Sequence, residues 1–392
     1  MKSKILLVVF GVLILCAYSC SSKGDGSVSE VIVNGNTMYV MSLNNLKSDI
    51  VTIPLSSLVE NCELVQLESV DDAYVGLGIT TITERYIGVR QSRTPYKLFD
   101  RSGKYLRNIG SIGGGPGEWT ASLYDEIIDE KNEMIYLAPL NRSDKILVYS
   151  TSGQYQKDIV APHRLQKPIM FLSNNTLTVV HMPFVNDKAI AYQFDVNTGE
   201  VLKELGPPPA HLIVEDFNDE LFSLRNESGV FDLVYTNSDT LYHFDLKDNK
   251  LLPFFNVTYE TSQNIWKRYF QITPNLFLTN LRLFKETTPP SVEDIGIVAT
   301  DLTSKTSSRI KVVNDYYGNI PISFAWQIHN GYWVMNLQPE QLMEIIEKRL
   351  AESSCTENDR QVLNKTLSTL KENTNNVVFI GKLKSEVEMN LF

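Results

Sequence analysis

Hydrophobic and polar residues alternate along most of this chain in short runs of roughly four to eight residues, the period of half-buried strands rather than of helices. One arrangement of these runs returns five times. An apolar-aromatic pair leads to Asp or Ser, then to a few polar residues with Gly, Asn or Ser among them, then to a second short run. The copies are KLFDRSGKYLRNIG (97–110), LVYSTSGQYQKDIV (147–160), YQFDVNTGEVLKEL (192–205), YHFDLKDNKLLPFF (242–255) and IVATDLTSKTSSRIKV (297–312). Each reads as a β-hairpin around a tight turn. The residue that opens the turn falls at 100, 150, 195, 245 and 301, in steps of 50, 45, 50 and 56. A period of this size indicates a repeat architecture, and a four-stranded propeller blade needs about 40 to 50 residues.

Each period holds two further strand candidates before its hairpin, such as SLYDEIID and EMIYLAP ahead of the second copy and PIMFLS and TLTVVHM ahead of the third. A sixth unit begins with ISFAWQIH (322–329) and GYWVMNL (331–337), but its third strand is delayed until NVVFIGKLK (376–384). The intervening stretch has helical spacing. Pro339 suits a first turn, Leu342, Ile346 and Leu350 share a face, and Leu363, Leu367 and Leu370 share another after the TEND capping box at 356–359. The expected fold is all-β: a six-bladed β-propeller with an αα-hairpin inserted in its last blade at about 339–373. A closed ring leaves no bare sheet edge, and closure predicts that CELVQLE (62–68) completes the sixth blade as its outer strand, with DIVTIPLSSLV (49–59) leading into it.

The N-terminus carries a different signal. Lys2 and Lys4 precede an apolar run from Ile5 to Cys16, too short for a comfortable span, and then small residues to Cys20. AYSC (17–20) resembles the lipobox of bacterial lipoproteins, with Ala17 where leucine is usual; an ordinary signal peptide cut nearby is the alternative. The expected organisation is a lipoprotein signal at 1–19, a flexible tether at 20–30 and the propeller from 31 to 392, with lipid on Cys20. Net charge is −10 with no basic stripe, which argues against nucleic acid as a partner. Once Cys16 and Cys20 are set aside, Cys62 and Cys355 remain, either paired or as two buried thiols.

GSIGGGPGEW (110–119) has the glycine density of a phosphate loop. Its context excludes that reading. No Lys-Ser/Thr follows the last glycine, no helix follows, and Glu118 puts a negative charge where a phosphate would lie. The physical role expected is a crossing from the outer strand of one blade to the inner strand of the next. YLRNIGSIGGGPGEW resembles the NHL-repeat signature. With IPLSSLVENCELVQLES, FDRSGKYLRNIG and DTLYHFDLKDNKLLPFF it resembles the six-bladed β-propeller lipoproteins of Bacteroidetes over most of the mature chain. That resemblance implies an exported, lipid-anchored propeller at the cell envelope, on the outer membrane, with no single activity attached to the fold. Where that family has Asn-Pro after its helical insertion, this chain has Asn375-Asn376, a departure expected to affect one turn. Asp239-Thr240-Leu241 resembles the O-glycosylation signal of exported Bacteroidetes proteins.

Candidate chemistry is sparse. None of the five histidines has zinc spacing to another, and no GxSxG or HExxH occurs. The candidate ligand-binding residues are Glu118 and Trp119, expected beside the channel mouth, with Asp125, Glu126, Arg225, Arg268, Trp326 and His329 on inner strands. Alternation points Asp125 and Glu126 to opposite sides. No catalytic residue and no cofactor is assigned. The expected function is a monomeric binding module for an envelope protein, peptide or glycan. The alternative is a hydrolase, lactonase or lyase using Ca²⁺ or another divalent ion in the channel.

Overall fold

The computed structural model describes residues 24–140, 143–214, 217, 219–224, 231–238, 240–259, 264–285, 287, 291–322 and 326–387. Six small sheets follow one another along the chain, each with four antiparallel strands at its heart; these are consecutive in the first five, while the sixth joins three consecutive strands to one from near the N-terminus. The first blade shows the pattern: Ile79–Ile82 inside, then Tyr86–Arg90, Tyr96–Asp100 and Tyr105–Ile109 outward. The inner strands of the other five are Leu123–Asp129, Ile169–Ser173, Leu221–Ser223, Asn264–Thr273 and Trp326–His329. The structure is a six-bladed β-propeller. Six apolar clusters occupy its six seams, one between each pair of neighbouring blades. Alternation explains this: successive side chains of a strand face the blade before and the blade behind, so both faces of each sheet are buried.

The recurring Asp is a turn device. Asp100, Asp195, Asp245 and Asp301 each accept a hydrogen bond at Oδ1 from the backbone N–H two residues on, at 2.8–2.9 Å. The left-handed residue that completes the turn is Gly103, Gly153, Gly199, Asn249 or Lys305. Glycine and asparagine hold that conformation at the least cost.

The ring closes as the alternation of CELVQLE requires: Glu63–Gln66 pairs antiparallel with Val377–Lys382 as the outer strand of the sixth blade. What precedes it differs from expectation. Ile50–Pro54 does not merely lead in; it pairs in parallel with Thr306–Asn314 and widens the fifth blade. A hairpin of Val28–Val33 and Asn36–Ser42 widens the fourth blade, its second strand parallel to Lys250–Thr258.

The insertion consists of helices α1 (Pro339–Ala351) and α2 (Glu357–Thr369). Thr356 and Asp359 form the capping box, with side chain to backbone in both directions at 3.1 Å. Leu342, Ile346 and Leu363 join Trp333 and Ile320 in the cluster between the fifth and sixth blades. Buried Arg349 pins the pair to the fifth blade's exit, donating to the Gly318 carbonyl (3.1 Å) and to Asp359 Oδ2 (3.0 Å). The helices therefore extend the core. Among the described residues, no helix is long and apolar enough to cross a membrane.

Asn375 and Asn376 do more than shape one turn, contrary to the expectation above. Both are buried. Asn375 accepts from the Val75 N–H (3.0 Å) and donates to the Glu68 and Ala73 carbonyls (2.8 Å each). Asn376 donates to Asn336 Oδ1 (2.8 Å) and to the Gly76 carbonyl (3.3 Å). A side-chain amide offers donors and an acceptor that proline lacks, so these two residues satisfy the buried backbone of the segment entering the first blade.

Candidate functional site

The inner strands carry the polar residues closest to the channel, and most of these are spent on holding blades together. Asp125 Oδ2 accepts from the Met170 N–H of the third blade at 2.6 Å. Glu126 points the other way. Fully buried, it accepts from Thr81 Oγ1 and Arg90 Nε of the first blade. Thr81 Oγ1 also lies 3.2 Å from His329 Nδ1. One polar chain, His329–Thr81–Glu126–Arg90, thus links the sixth, first and second blades across the two seams that flank the first. Burial opposes the charge on Arg90, but the Glu126 and Asp125 carboxylates outweigh it and hold the guanidinium above its ordinary pKa.

On the face where strands enter each blade lies a cleft of about 680 Å³, reaching over the first four blades. Arg90 and Lys167 are on its wall, with Tyr124, Glu220 and the hydroxyls of Ser92 and Ser122. Lys167 is buried in a left-handed conformation (φ 48°). Its Nζ donates to the Phe217 carbonyl (2.7 Å), the Asp219 carbonyl (2.5 Å) and Glu220 Oε1 (2.6 Å). The Tyr124 hydroxyl donates to Glu220 Oε2 (2.7 Å) and accepts from the Leu221 N–H (3.0 Å). Burial first, and Glu220 second, push this phenol well above its usual range, so it stays a neutral donor. The lip is apolar: Leu77 is 68% exposed and Phe217 57%.

The glycine stretch lies elsewhere. Ser111–Ile112 and Glu118–Trp119 pair in parallel and pinch off the loop. The Glu118 carboxylate fills it, accepting from the Gly115 N–H (2.8 Å) and Ser111 Oγ (3.0 Å). These bonds lower the carboxyl's pKa. A Cβ on Gly113 would stand 2.0 Å from Glu118 Oε2, so glycine is there because the acid comes so close. Trp119 is buried in the seam between the first and second blades, where a Cβ on Gly110 would meet its ring at 2.4 Å. Expected beside the channel mouth, both residues instead stand at the blade crossing. The chain has just left the outer strand of one blade there, and neither residue lines the cleft.

Glu126 and His329 are brought together through Thr81, while Asp125 faces the third blade. Arg268, half-buried on the fifth blade's inner strand, lies over the Phe270 ring at 5.1 Å. Trp326 begins the sixth blade's inner strand. Cys20, Arg225 and Asp239 lie outside the described residues. Cys62 and Cys355 are free thiols. Among the described residues, no three His, Cys, Asp or Glu side chains converge on one point.

Sequence reasoning missed Arg90, Lys167, Tyr124 and Glu220. Arg90 does carry a signal, a cation closing the otherwise apolar strand YIGVR. It also missed a second pocket of about 320 Å³ at the opposite end of the fourth and fifth blades. There buried Asp232 accepts from His243 Nδ1 (2.7 Å) and Gln271 Nε2 (2.8 Å). His243 and Asp232 sit directly opposite each other on neighbouring strands.

Residues 38–382 match the model of a family described as a domain of unknown function, DUF4934. No curated protein matches the chain. Among solved structures, it is similar to a Bacteroides fragilis protein described as exported, at 13% identity and a TM-score of 0.57, over 86% of this chain and all of the other. It is also similar to a DUF4221 family member from Bacteroides vulgatus, at 11% identity and a TM-score of 0.46, over 84% of this chain and 98% of the other.

Proposed function

The chain belongs to the DUF4934 family, and we propose that its propeller is a binding module, exported and held at the outer membrane by lipid on Cys20, which takes a protein, peptide or glycan ligand into the cleft over the first four blades. The observation that carries this reading is how the cleft is finished. Lys167 is committed to Glu220, and Arg90 to Glu126. A ligand therefore meets hydroxyls, amides and backbone groups under an apolar lip, a surface suited to recognition. The volume also falls within the range of ligand pockets. Support for export comes from the Lys2–Cys20 leader and from the Bacteroides fragilis neighbour described as exported. Support for the anchor comes from AYSC.

Glycan and peptide arrays probed with the labelled protein test the binding role. The expected result is one ligand class whose signal falls at least tenfold with Phe217→Ala. Turnover of a small substrate that is lost on changing Asp125 or Glu126, in variants that still fold, would sink it. For the anchor, a Cys20→Ala protein is expected in the soluble fraction and unacylated; a variant that stayed acylated and membrane-bound would overturn it.

A further inference from the structure

Of the stretch expected to be a tether, 20–30, the residues from Gly24 onward are held by the fold. Gly24 lies against the turn before the fifth blade's fourth strand, where a Cβ would stand 2.5 Å from the Lys305 carbonyl oxygen. Asn45 Nδ2 donates to the Gly26 carbonyl (3.0 Å), and the Ser42 N–H donates to the Ser27 carbonyl (2.8 Å). The chain therefore enters the propeller at a fixed point on its outer rim. Cys20 is four residues before Gly24, and four residues span at most about 14 Å when fully extended.

That point opens on a wedge between the outer edges of the fourth and fifth blades, the two that carry added strands. Alternation fixes what faces it. In Val28–Val33, Val28 belongs to the cluster between these two blades, so Glu30 and Ile32, on the same side of the strand, face the fifth blade. In Ile50–Pro54, Val51 and Ile53 pack towards the sixth blade, so Ile50 and Thr52 face the fourth. Glu30 Oε1 meets Lys305 Nζ across the wedge at 3.0 Å. Ile32 is two residues from Glu30, and Ile50 stands opposite Arg309, four residues from Lys305. Each is thus within about 14 Å of that ion pair along its strand. Ile32 is 69% exposed and Ile50 66%; among the described residues, only Leu77 on the cleft lip is a large apolar side chain as open as these.

We propose that this wedge docks on the membrane surface, with Ile32 and Ile50 set into the headgroup layer beside the lipidated Cys20, so that the propeller stands on its rim and its channel runs along the membrane plane. The proposal rests on the reading of Cys20 as the lipid anchor. Reach identifies the occupant as lipid: acyl chains on Cys20 bring the bilayer within a short strand's length of Gly24, and the apolar side chains left open there are the two isoleucines. A lipid anchor holds more firmly when a second membrane contact joins it. This posture also leaves the cleft, on the face where strands enter the blades, open to the side and clear of the bilayer.

The test uses the chain from Cys20 onward, coupled through that thiol to a maleimide phospholipid in phosphatidylcholine vesicles, with mass spectrometry confirming one lipid, on Cys20. The lipid is then present whether or not cells add it, so failure here is distinct from failure of the anchor, which the Cys20→Ala protein reads. Backbone hydrogen exchange is compared with that of the same protein uncoupled. Exchange at residues 29–33 and 49–52 is expected to slow roughly fivefold on the vesicles. Residues 155–160, on the outer strand of the second blade across the ring, carry the exposed Val160 and should be unchanged. Ile32→Ser combined with Ile50→Ser should abolish the slowing in a protein that thermal melts show to be folded. Equal exchange at 29–33 and 49–52 with and without the lipid, equal slowing at 155–160, or wild-type slowing in the folded double variant would each overturn the proposal.

Discussion

Removing Glu126 should cost this protein more than removing most core methyl groups, and removing Arg90 with it should cost much less. Glu126 is fully buried and Arg90 has 17% of its side chain exposed. The carboxylate accepts hydrogen bonds from Arg90 Nε and from the Thr81 hydroxyl. In Glu126→Ala the guanidinium keeps its burial and loses its anion. Breaking a buried pair from one side costs about 3 to 5 kcal/mol. An unfolding entropy of roughly 2 cal/mol/K per residue, over a chain of this length, makes each kcal/mol worth about 1.3 °C, so the midpoint should fall by about 4 to 6 °C. Arg90→Ala leaves the carboxylate stranded and should fall similarly. Glu126→Leu combined with Arg90→Met replaces the pair with apolar groups of similar volume and should lie within about 1 kcal/mol of wild type. The assay is a double-mutant cycle that compares Glu126→Leu, Arg90→Met and the two together by differential scanning fluorimetry, checked by urea unfolding. Additive losses in the cycle would refute the reasoning, because groups that share one bond must couple.

Three other outcomes are expected. Asp232 raises the pKa of His243, so the stability this pair adds is present from the ionisation of Asp232, which burial raises, up to about pH 6.5, and is lost as pH rises through the folded imidazole value. Asp232→Asn should return the imidazole towards its ordinary value by NMR titration and flatten that pH dependence; an unmoved titration would contradict the pairing. Burial pushes the Cys62 thiol up to about 12, and Cys355 is buried. Peptide mapping after iodoacetamide at pH 8 should therefore find both unmodified in native protein and both modified in denaturant. Gly117 holds φ 75°, and a Cβ there would lie 2.7 Å from the Tyr155 ring, so Gly117→Ala should lower stability by about 1 to 3 kcal/mol, measured by urea unfolding.

The ring was legible because its signals are local. Asp100, Asp195, Asp245 and Asp301 each organise a turn within the next few residues, and the spacing between them counts blades. Glu63–Gln66 was legible as the closing strand because closure needs one more strand and the alternation there had no other use. The N-terminal additions were not. VIVNGNTMYV carries its own hairpin turn at Asn34-Gly35, both left-handed, but nothing local says that Tyr39 will lie beside Phe255, more than two hundred residues on. The site divides the same way. Alternation separates the directions of Asp125 and Glu126, but their partners Met170 and Arg90 belong to different blades. Which residues meet across a seam depends on how the sheets stack, and no single strand encodes that. The glycine stretch was legible as a blade crossing, but that Glu118 fills its own loop and that Trp119 packs between the first and second blades depends on contacts no local pattern encodes.

The central claim is that ligand enters the cleft over the first four blades. Hydrogen exchange with and without the strongest array ligand tests it most directly. Protection is expected at residues 77–79, 90–92, 122–124 and 166–167, which border the cleft, with the ends of the outer strands unchanged. Protection confined to the opposite face, around Asp232 and His243, would contradict it, as would binding that protects none of these segments.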